Sequence, residues 1–187
     1  MQEMPQFSGG RETRMGNGKA EIVQYGILDE KQNLVTLLES GGHYTFFLRA
    51  VFYEEVDGAV AGFAIRNVKG VDLFGTTTAL LNSPIVNPHK GDVLEVRLRV
   101  NMTLTNGTFF LTVALADPDA ASDVQYDMRY DVLQFEVKMK TGIFTTSVVD
   151  MDPNISCHLC SVLNSAPSQR LSKTLKDPQA QDGAHNS

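Results

Sequence analysis

Apolar and polar side chains alternate with a period of two along most of the chain. Tyr44, Phe46, Leu48, Ala50 and Phe52 interleave with His43, Thr45, Phe47, Arg49, Val51 and Tyr53. Leu94, Val96, Leu98, Val100, Met102 and Leu104 interleave with Glu95, Arg97, Arg99, Asn101 and Thr103. The same alternation runs from Phe109 to Leu115 and from Asp131 to Val137. Successive strand residues point to opposite faces, so the pattern predicts sheets with one buried face. No stretch has an apolar stripe at helical spacing, and at most one short helical turn is expected within Asp117 to Arg129.

Turn residues fall between these runs: Asp29–Asn33, Gly41-Gly42, Asp57-Gly58, Lys69-Gly70, Lys90-Gly91 and Asn106-Gly107. The last predicts a type I′ hairpin, whose two central residues need positive φ. Strands are therefore expected at about 19–28, 34–38, 43–54, 60–68, 71–78, 92–104, 107–116, 130–138 and 144–150. With no crossover helices, that spacing predicts an all-β fold, an antiparallel β-sandwich, with a barrel as the alternative. Residues 1–18 lack periodicity and read as a flexible leader or linker. Residues 19–163 make the sandwich, and the polar stretch 164–187 reads as a disordered tail.

Composition narrows the function classes. The formal charge of −6 argues against nucleic acid, whose phosphates call for clustered Lys and Arg. No apolar run reaches the roughly 18 residues of a membrane span, and the N-terminal stretch has no apolar core of a secretory signal. A cytoplasmic setting without direct membrane insertion is the expectation.

Familiar catalytic signatures are missing. There is no G-x-x-x-x-G-K-[ST], no G-x-S-x-G and no H-E-x-x-H, and the four histidines lack ligand spacing. Cys157-His158-Leu159-Cys160 supplies two thiols where a structural zinc site wants four ligands, so two reduced cysteines are expected. Zinc shared between two copies is the alternative. Asp150–Asn154 lacks the Gly and Glu of a calcium loop, and Asp117, Asp119 and Asp123 read as a solvated acidic loop. Neither metal nor cofactor is expected, and no catalytic residue stands out.

The outward faces of the strands carry the remaining chemistry. Arg49, Tyr53, Arg97, Arg99 and Asn101 fall on one of them. Arg66, Phe110, Thr112 and Gln134 form a similar set on the other sheet. Aromatic and guanidinium planes beside hydrogen-bonding groups suit sugar rings, which have apolar faces and a fringe of hydroxyls. From pattern alone, an ordinary solvated sheet face is the competing reading.

The stretch Ala61-Gly62-Phe63-Ala64-Ile65-Arg66-Asn67-Val68-Lys69-Gly70-Val71-Asp72-Leu73-Phe74-Gly75-Thr76-Thr77-Thr78 changes that balance. It resembles the GF-x-I-[RK]-x-x-x-G-x-x-[ILV]-x-G-x-N-T signature of the Wzt C-terminal domain family. The order of Gly18 to Ile22, Gly41, Phe52 to Val56, Gly91, Gly107 to Leu115 and Asp131 to Val137 is similar too, so about residues 16–150 are covered. Thr76 and Thr77 stand where the family places Asn, and Ala59-Val60-Ala61 replaces its usual Pro. Within the motif, Phe63 and Ile65 share a core-facing side, Gly70 suits a tight turn, and Gly75 suits a bulge or close backbone approach.

The resemblance implies an immunoglobulin-like sandwich that binds carbohydrate without catalysis. Its ligand would be the terminal part of an O-antigen-type polysaccharide, presented at the inner face of the membrane before export by an ABC transporter. ATP hydrolysis would belong to a nucleotide-binding domain, this chain being either an excised C-terminal half or the partner of a separately encoded ATPase, and the pore to a membrane permease. A module that couples the ATPase to glycan-synthesis enzymes without binding sugar is the alternative. The family also implies a homodimer by exchange of the C-terminal strand, here Ile143, Phe144, Val148 and Val149 after a Thr141-Gly142 hinge.

Overall fold

A computed structural model of the chain describes residues 13–119, 124–140, 147–151 and 156–157. The chain divides into two units, Met1–Asp152 and Pro153–Ser187. In the second, Ser156 and Cys157 are described, both exposed. The Leu163 boundary expected from the sequence lies outside the described residues.

The first unit is built from ten strands and, among the described residues, no helix. They are β1 (Thr13–Met15), β2 (Ala20–Leu28), β3 (Leu37–Glu39), β4 (His43–Phe52), β5 (Gly58–Asn67), β6 (Asp72–Thr77), β7 (Ile85–Val86), β8 (Val93–Asn101), β9 (Gly107–Ala116) and β10 (Gln125–Lys138). The larger sheet runs β1-β10-β9-β5-β6, with β3 also beside β10 and β7 beside β5; the smaller runs β2-β4-β8. Pairing is antiparallel except for the short parallel contact of β3 with β10. The chain is an all-β antiparallel sandwich, as the alternation predicts.

The core is the set of inward positions read from the sequence. Phe46, Leu48, Ala50 and Phe52 of β4 are buried, as are Phe63 and Ile65 of β5 and Phe109, Leu111, Val113 and Leu115 of β9. Phe46 of the small sheet meets Phe135 of the large one with ring centroids 6.1 Å apart, and Phe109 meets Phe135 at 5.7 Å. Both separations suit tilted aromatic packing.

The two long margins of the sandwich differ. On one, the Ile22 amide donates to Asp127 Oδ2 at 2.8 Å and so ties β2 to β10. Asp127 is 1% exposed. It accepts from Arg14 Nε at 2.8 Å and from Arg129 Nε at 3.1 Å. Glu21 completes the network, 3.0 Å from Arg14 Nη1 and 3.5 Å from Arg129 Nη2. The strand orders then place β6 and β8 together at the opposite margin. There the inward residues Leu94, Val96, Leu98 and Val100 are only half-buried. Phe74 pairs with buried Ile65 and faces the same way, yet it is 37% exposed.

Several expectations are corrected. Residues 13–15, assigned to the flexible leader, form β1; its Thr-Arg-Met sequence is wholly exposed, and backbone pairing and Arg14 hold it rather than apolar burial. Residues 125–129, where a helical turn was allowed, are the start of β10; buried Asp127 hides the alternation. Asn106-Gly107 is no hairpin, because β8 and β9 lie in different sheets and neither residue has positive φ. Buried Met102 and Leu104 instead carry the chain across the core edge. Gly70 has the expected positive φ of 76°. Gly75, however, pairs regularly with Ala64, and a Cβ there would meet nothing within 4 Å. The irregularity falls between Ile65 and Arg66 instead.

Candidate ligand-binding cleft

The five residues expected on the outer face of β2-β4-β8 do share it. Register sets Arg49 opposite Glu95, Arg97 opposite Phe47, Arg99 opposite Thr45 and Asn101 opposite His43. Their surroundings are unequal. One carboxylate, Glu95, accepts from both Arg49 Nε and Arg97 Nε, the latter at 2.5 Å. These bonds, from Arg97 first and then Arg49, hold Glu95 below the usual carboxylate range. Arg97 Nη1 also donates to Gln32 Oε1 at 2.7 Å. The Tyr53 hydroxyl donates to Glu21 Oε2 at 2.9 Å, which raises the phenol above its ordinary value. Arg99 has neither an ion pair nor a hydrogen bond among the described residues.

Position separates them further. Tyr53 stands just beyond the far end of β4 from Thr45, the residue opposite Arg99. At about 3.3 Å per residue that separation is roughly 26 Å. One sugar ring therefore cannot meet both Tyr53 and Arg99; the five residues form a face, and Arg99 and Asn101 at one end of it line a cleft.

That end is shaped by the turn between β2 and β3. Asp29 accepts from the Asn33 amide at 2.8 Å and from Asn33 Nδ2 at 3.1 Å, bonds that keep its carboxyl below the usual range. Gln32 takes a positive φ of 66° inside the turn. Leu34 then bridges back to Leu28 and lies over Gly26, where a Cβ would sit 2.8 Å from Leu34 Cδ2 and 2.9 Å from Phe47 Cε1. Any larger residue at position 26 would force these side chains apart. The same cover explains why Phe47, outward by register, is only 5% exposed.

The folded-back turn and the strand ends enclose a cleft of about 520 Å³. Asp29, Glu30 and Gln32 form one wall, and His43, Thr45, Arg99 and Asn101 the other. The volume lies within the roughly 300–1,000 Å³ of small-ligand sites. An unpaired guanidinium, an amide and an imidazole face carboxylates, giving dense hydrogen-bonding capacity for a polyhydroxyl ligand with an acidic group. Asp29 to Asn33 was legible as a turn and His43 as a strand residue; nothing in the pattern joined them to Arg99.

The second set is partly assembled. Arg66, Phe110 and Gln134 stand side by side across β5, β9 and β10. Arg66 lies 5.0 Å from the centroid of the Tyr130 ring and bonds Asp72 Oδ1 at 2.5 Å. Thr112 does not belong to this surface: it is 4% exposed, and its Oγ1 accepts from the Asp131 amide at 3.1 Å. The cause is the register shift between Arg129 and Leu133, in which Asp131 adopts a φ of 52°.

Of the expected dimer strand, Val148 and Val149 pair with Leu104 and Thr105 of the same chain. Ile143 and Phe144 lie outside the described residues, as does Cys160. Among the described residues no three His, Cys, Asp or Glu side chains converge as a metal site would require, and no helix is long and apolar enough to cross a membrane.

Fold and cleft together define a strand-built module whose chemistry lies on a sheet face. Residues 11–151 match the Wzt C-terminal domain family. The chain belongs to that family. Its fold is similar to the crystal structure of the C-terminal domain of wzt, with a TM-score of 0.72 and 23% identity over 79% of this chain and 89% of that one. The CARDB domain of the PF1109 protein from Pyrococcus furiosus aligns at a TM-score of 0.38 and 9% identity, over 67% of this chain and all of that one. That second likeness bears on neither fold nor function. No curated protein matches the chain.

Proposed function

We propose that the chain is a non-catalytic carbohydrate-binding module that recognises the terminal part of an O-antigen-type polysaccharide for export by an ABC transporter. It acts at the inner face of the cell membrane, alongside a nucleotide-binding domain that hydrolyses ATP and a membrane permease. Family membership supplies the transport setting. The observation that carries the sugar reading is the cleft in which Arg99, unpaired among the described residues, stands beside Asn101 and His43. Arg99 takes an acidic substituent, and Asn101 and His43 take hydroxyls. Binding at one such cleft is weak and gains strength from repetition in a dimer.

The test is calorimetric titration with oligosaccharides derived from lipopolysaccharide. Arg99→Ala and Asn101→Ala are expected to lower affinity at least tenfold, while Tyr53→Ala, about 26 Å away by strand length, leaves it within twofold. Equal loss on replacing Phe110 or Gln134, with Arg99→Ala silent, would move the site to the other sheet.

The module is further read as a homodimer through exchange of the strand containing Ile143, Phe144, Val148 and Val149. The outer edge of β8, which pairs only with β4 among the described residues, supports this. Ending the chain before Gly142 is expected to give monomer or insoluble protein in size-exclusion chromatography. The half-filled margin beside β8 also favours the second reading, a module that docks the ATPase to glycan-synthesis enzymes. Absence of any glycan binding would leave that reading standing.

A further inference from the structure

The cleft beside the β2–β3 turn is lined by two opposite charges that do not meet. On the turn wall, Asp29 spends both carboxylate oxygens on Asn33, whose amide donates to Oδ1 at 2.8 Å and whose Nδ2 donates to Oδ2 at 3.1 Å. Gln32 is committed as well, since its Oε1 accepts from Arg97 Nη1 at 2.7 Å. These ties hold the turn over the sheet and leave Glu30 as the free carboxylate of the lining. It is exposed, with no hydrogen bond or ion pair among the described residues. Lys31, the neighbouring cation on the turn, does not line the cleft. On the opposite wall Arg99 is free in the same sense.

The strands account for the gap between the two. Leu28 of β2 and Arg99 of β8 both flank Thr45 of β4. Their backbones therefore stand two strand spacings apart, roughly 10 Å, and Glu30 follows Leu28 by two residues. A cavity of about 520 Å³ lies between the walls. A ligand with acidic groups alone would satisfy Arg99 but bring its remaining negative charge towards an uncompensated carboxylate, which weighs against it. A ligand with an acid and a protonated amine satisfies both walls.

We propose that Glu30 is a specificity-determining residue: the cleft selects a sugar that carries a protonated amino group together with its acidic group, the amine towards Glu30 and the acid towards Arg99. This rests on the carbohydrate reading of the cleft and adds the class of sugar. It also states what the cleft turns away. A ring with two acidic substituents would present the second of them to Glu30. Asn101 and His43 remain for the hydroxyls.

The probes are the methyl glycosides of glucosaminuronic acid, of its N-acetyl derivative and of its N-sulfate, titrated into the full chain and followed by ligand-observed NMR. All three keep the carboxylate and the same ring, and they differ in the charge borne at nitrogen, which is positive, neutral or negative. The unaltered chain is expected to favour the free amine over the N-acetyl sugar by about fivefold, the scale of one solvent-exposed charge pair, and to bind the N-sulfate most weakly. Glu30→Gln should bring the first ratio within about twofold of unity, and Glu30→Lys should reverse the order of amine and N-sulfate. A carboxylate that only accepted hydroxyl bonds would serve all three sugars alike. Equal affinities, or a preference that survives Glu30→Gln, overturn the inference; loss of binding in Arg99→Ala then leaves the carbohydrate reading standing. Failure of all three sugars to bind has the same meaning where lipopolysaccharide-derived oligosaccharides still bind. No binding of either kind overturns both.

Discussion

The two margins of the sandwich solve the same problem with opposite chemistry. Where β2 meets β10, the sheets are joined by charge: Asp127, 1% exposed, is held by two arginines and a backbone amide. On the β8 side, the inward residues Leu94, Val96, Leu98 and Val100 are half-buried apolar side chains packed against the core. The first margin is finished, since each buried charge has a partner. The second offers surplus apolar surface and, among the described residues, a strand edge without a pairing partner, the features that natural sheets otherwise cover. A closed margin contributes stability; an open one is available for association.

The largest expected effect comes from breaking the closed margin. Asp127→Ala removes the charge that Arg129, whose side chain is 13% exposed, faces across 3.1 Å. A buried pair that loses one partner typically costs about 3–5 kcal/mol, to be read as a shift of the urea midpoint. A change below 1 kcal/mol would mean that the remaining partners of Arg129, Glu21 among them, satisfy it.

The next comparison sets like residues against each other. Leu111 of β9 is fully buried, while Leu98 of β8 is half-buried. Leu111→Ala should cost about 2–5 kcal/mol and Leu98→Ala about 1–2 kcal/mol in monomeric protein. Equal costs would show that the β8 margin is already closed in solution.

Tyr126 gives a smaller effect, confined to alkaline pH. Burial, with the neighbouring Asp117 carboxylate, pushes its phenol from 10.0 to about 12. Its hydroxyl lies 3.1 Å from both the Gly58 carbonyl and Asp117 Oδ2. The folded-state value is raised, so the protonated form is the stabilising one. Its contribution is whole below about pH 10 and disappears as pH climbs through about 12. Denaturation curves of Tyr126→Phe should lack the loss of stability that the unaltered chain shows across that window.

Arg14→Gln is the mildest change. The arginine side chain is 46% exposed and Asp127 keeps Arg129, so a loss of at most about 1 kcal/mol is expected. Faster hydrogen exchange at the β1–β10 pairs, with no change at β4–β8, is the specific sign.

The margins also explain what could be read in the sequence. β4, β8 and β9 alternate openly because burial there is apolar, so their inward residues were legible one by one. β1 and the start of β10 were not, because Arg14, Asp127 and Arg129 fill inward positions that the pattern scores as solvent-facing. Asn106-Gly107 misled for a different reason: turn chemistry reports a change of direction, not which sheet the next strand joins. For the candidate site, alternation placed Arg99 and Asn101 on the same outer face of β4 and β8 that the register shows. It could not foresee the cleft, which depends on Leu34 folding back over Gly26, a contact with no periodic signal.

The clasp between Arg14 and Asp127 joins residues 113 positions apart. On a ribosome adding roughly 5–20 residues per second, β1 must wait roughly 6–23 seconds for its partner strand. Until then β1 lacks β10, while β2–β4, β4–β8, β5–β6 and β5–β9 can already pair. The charged margin thus closes only on a chain extended into β10. A nascent chain stalled before Gln125 would therefore leave β1 without the strand it pairs with in the finished fold.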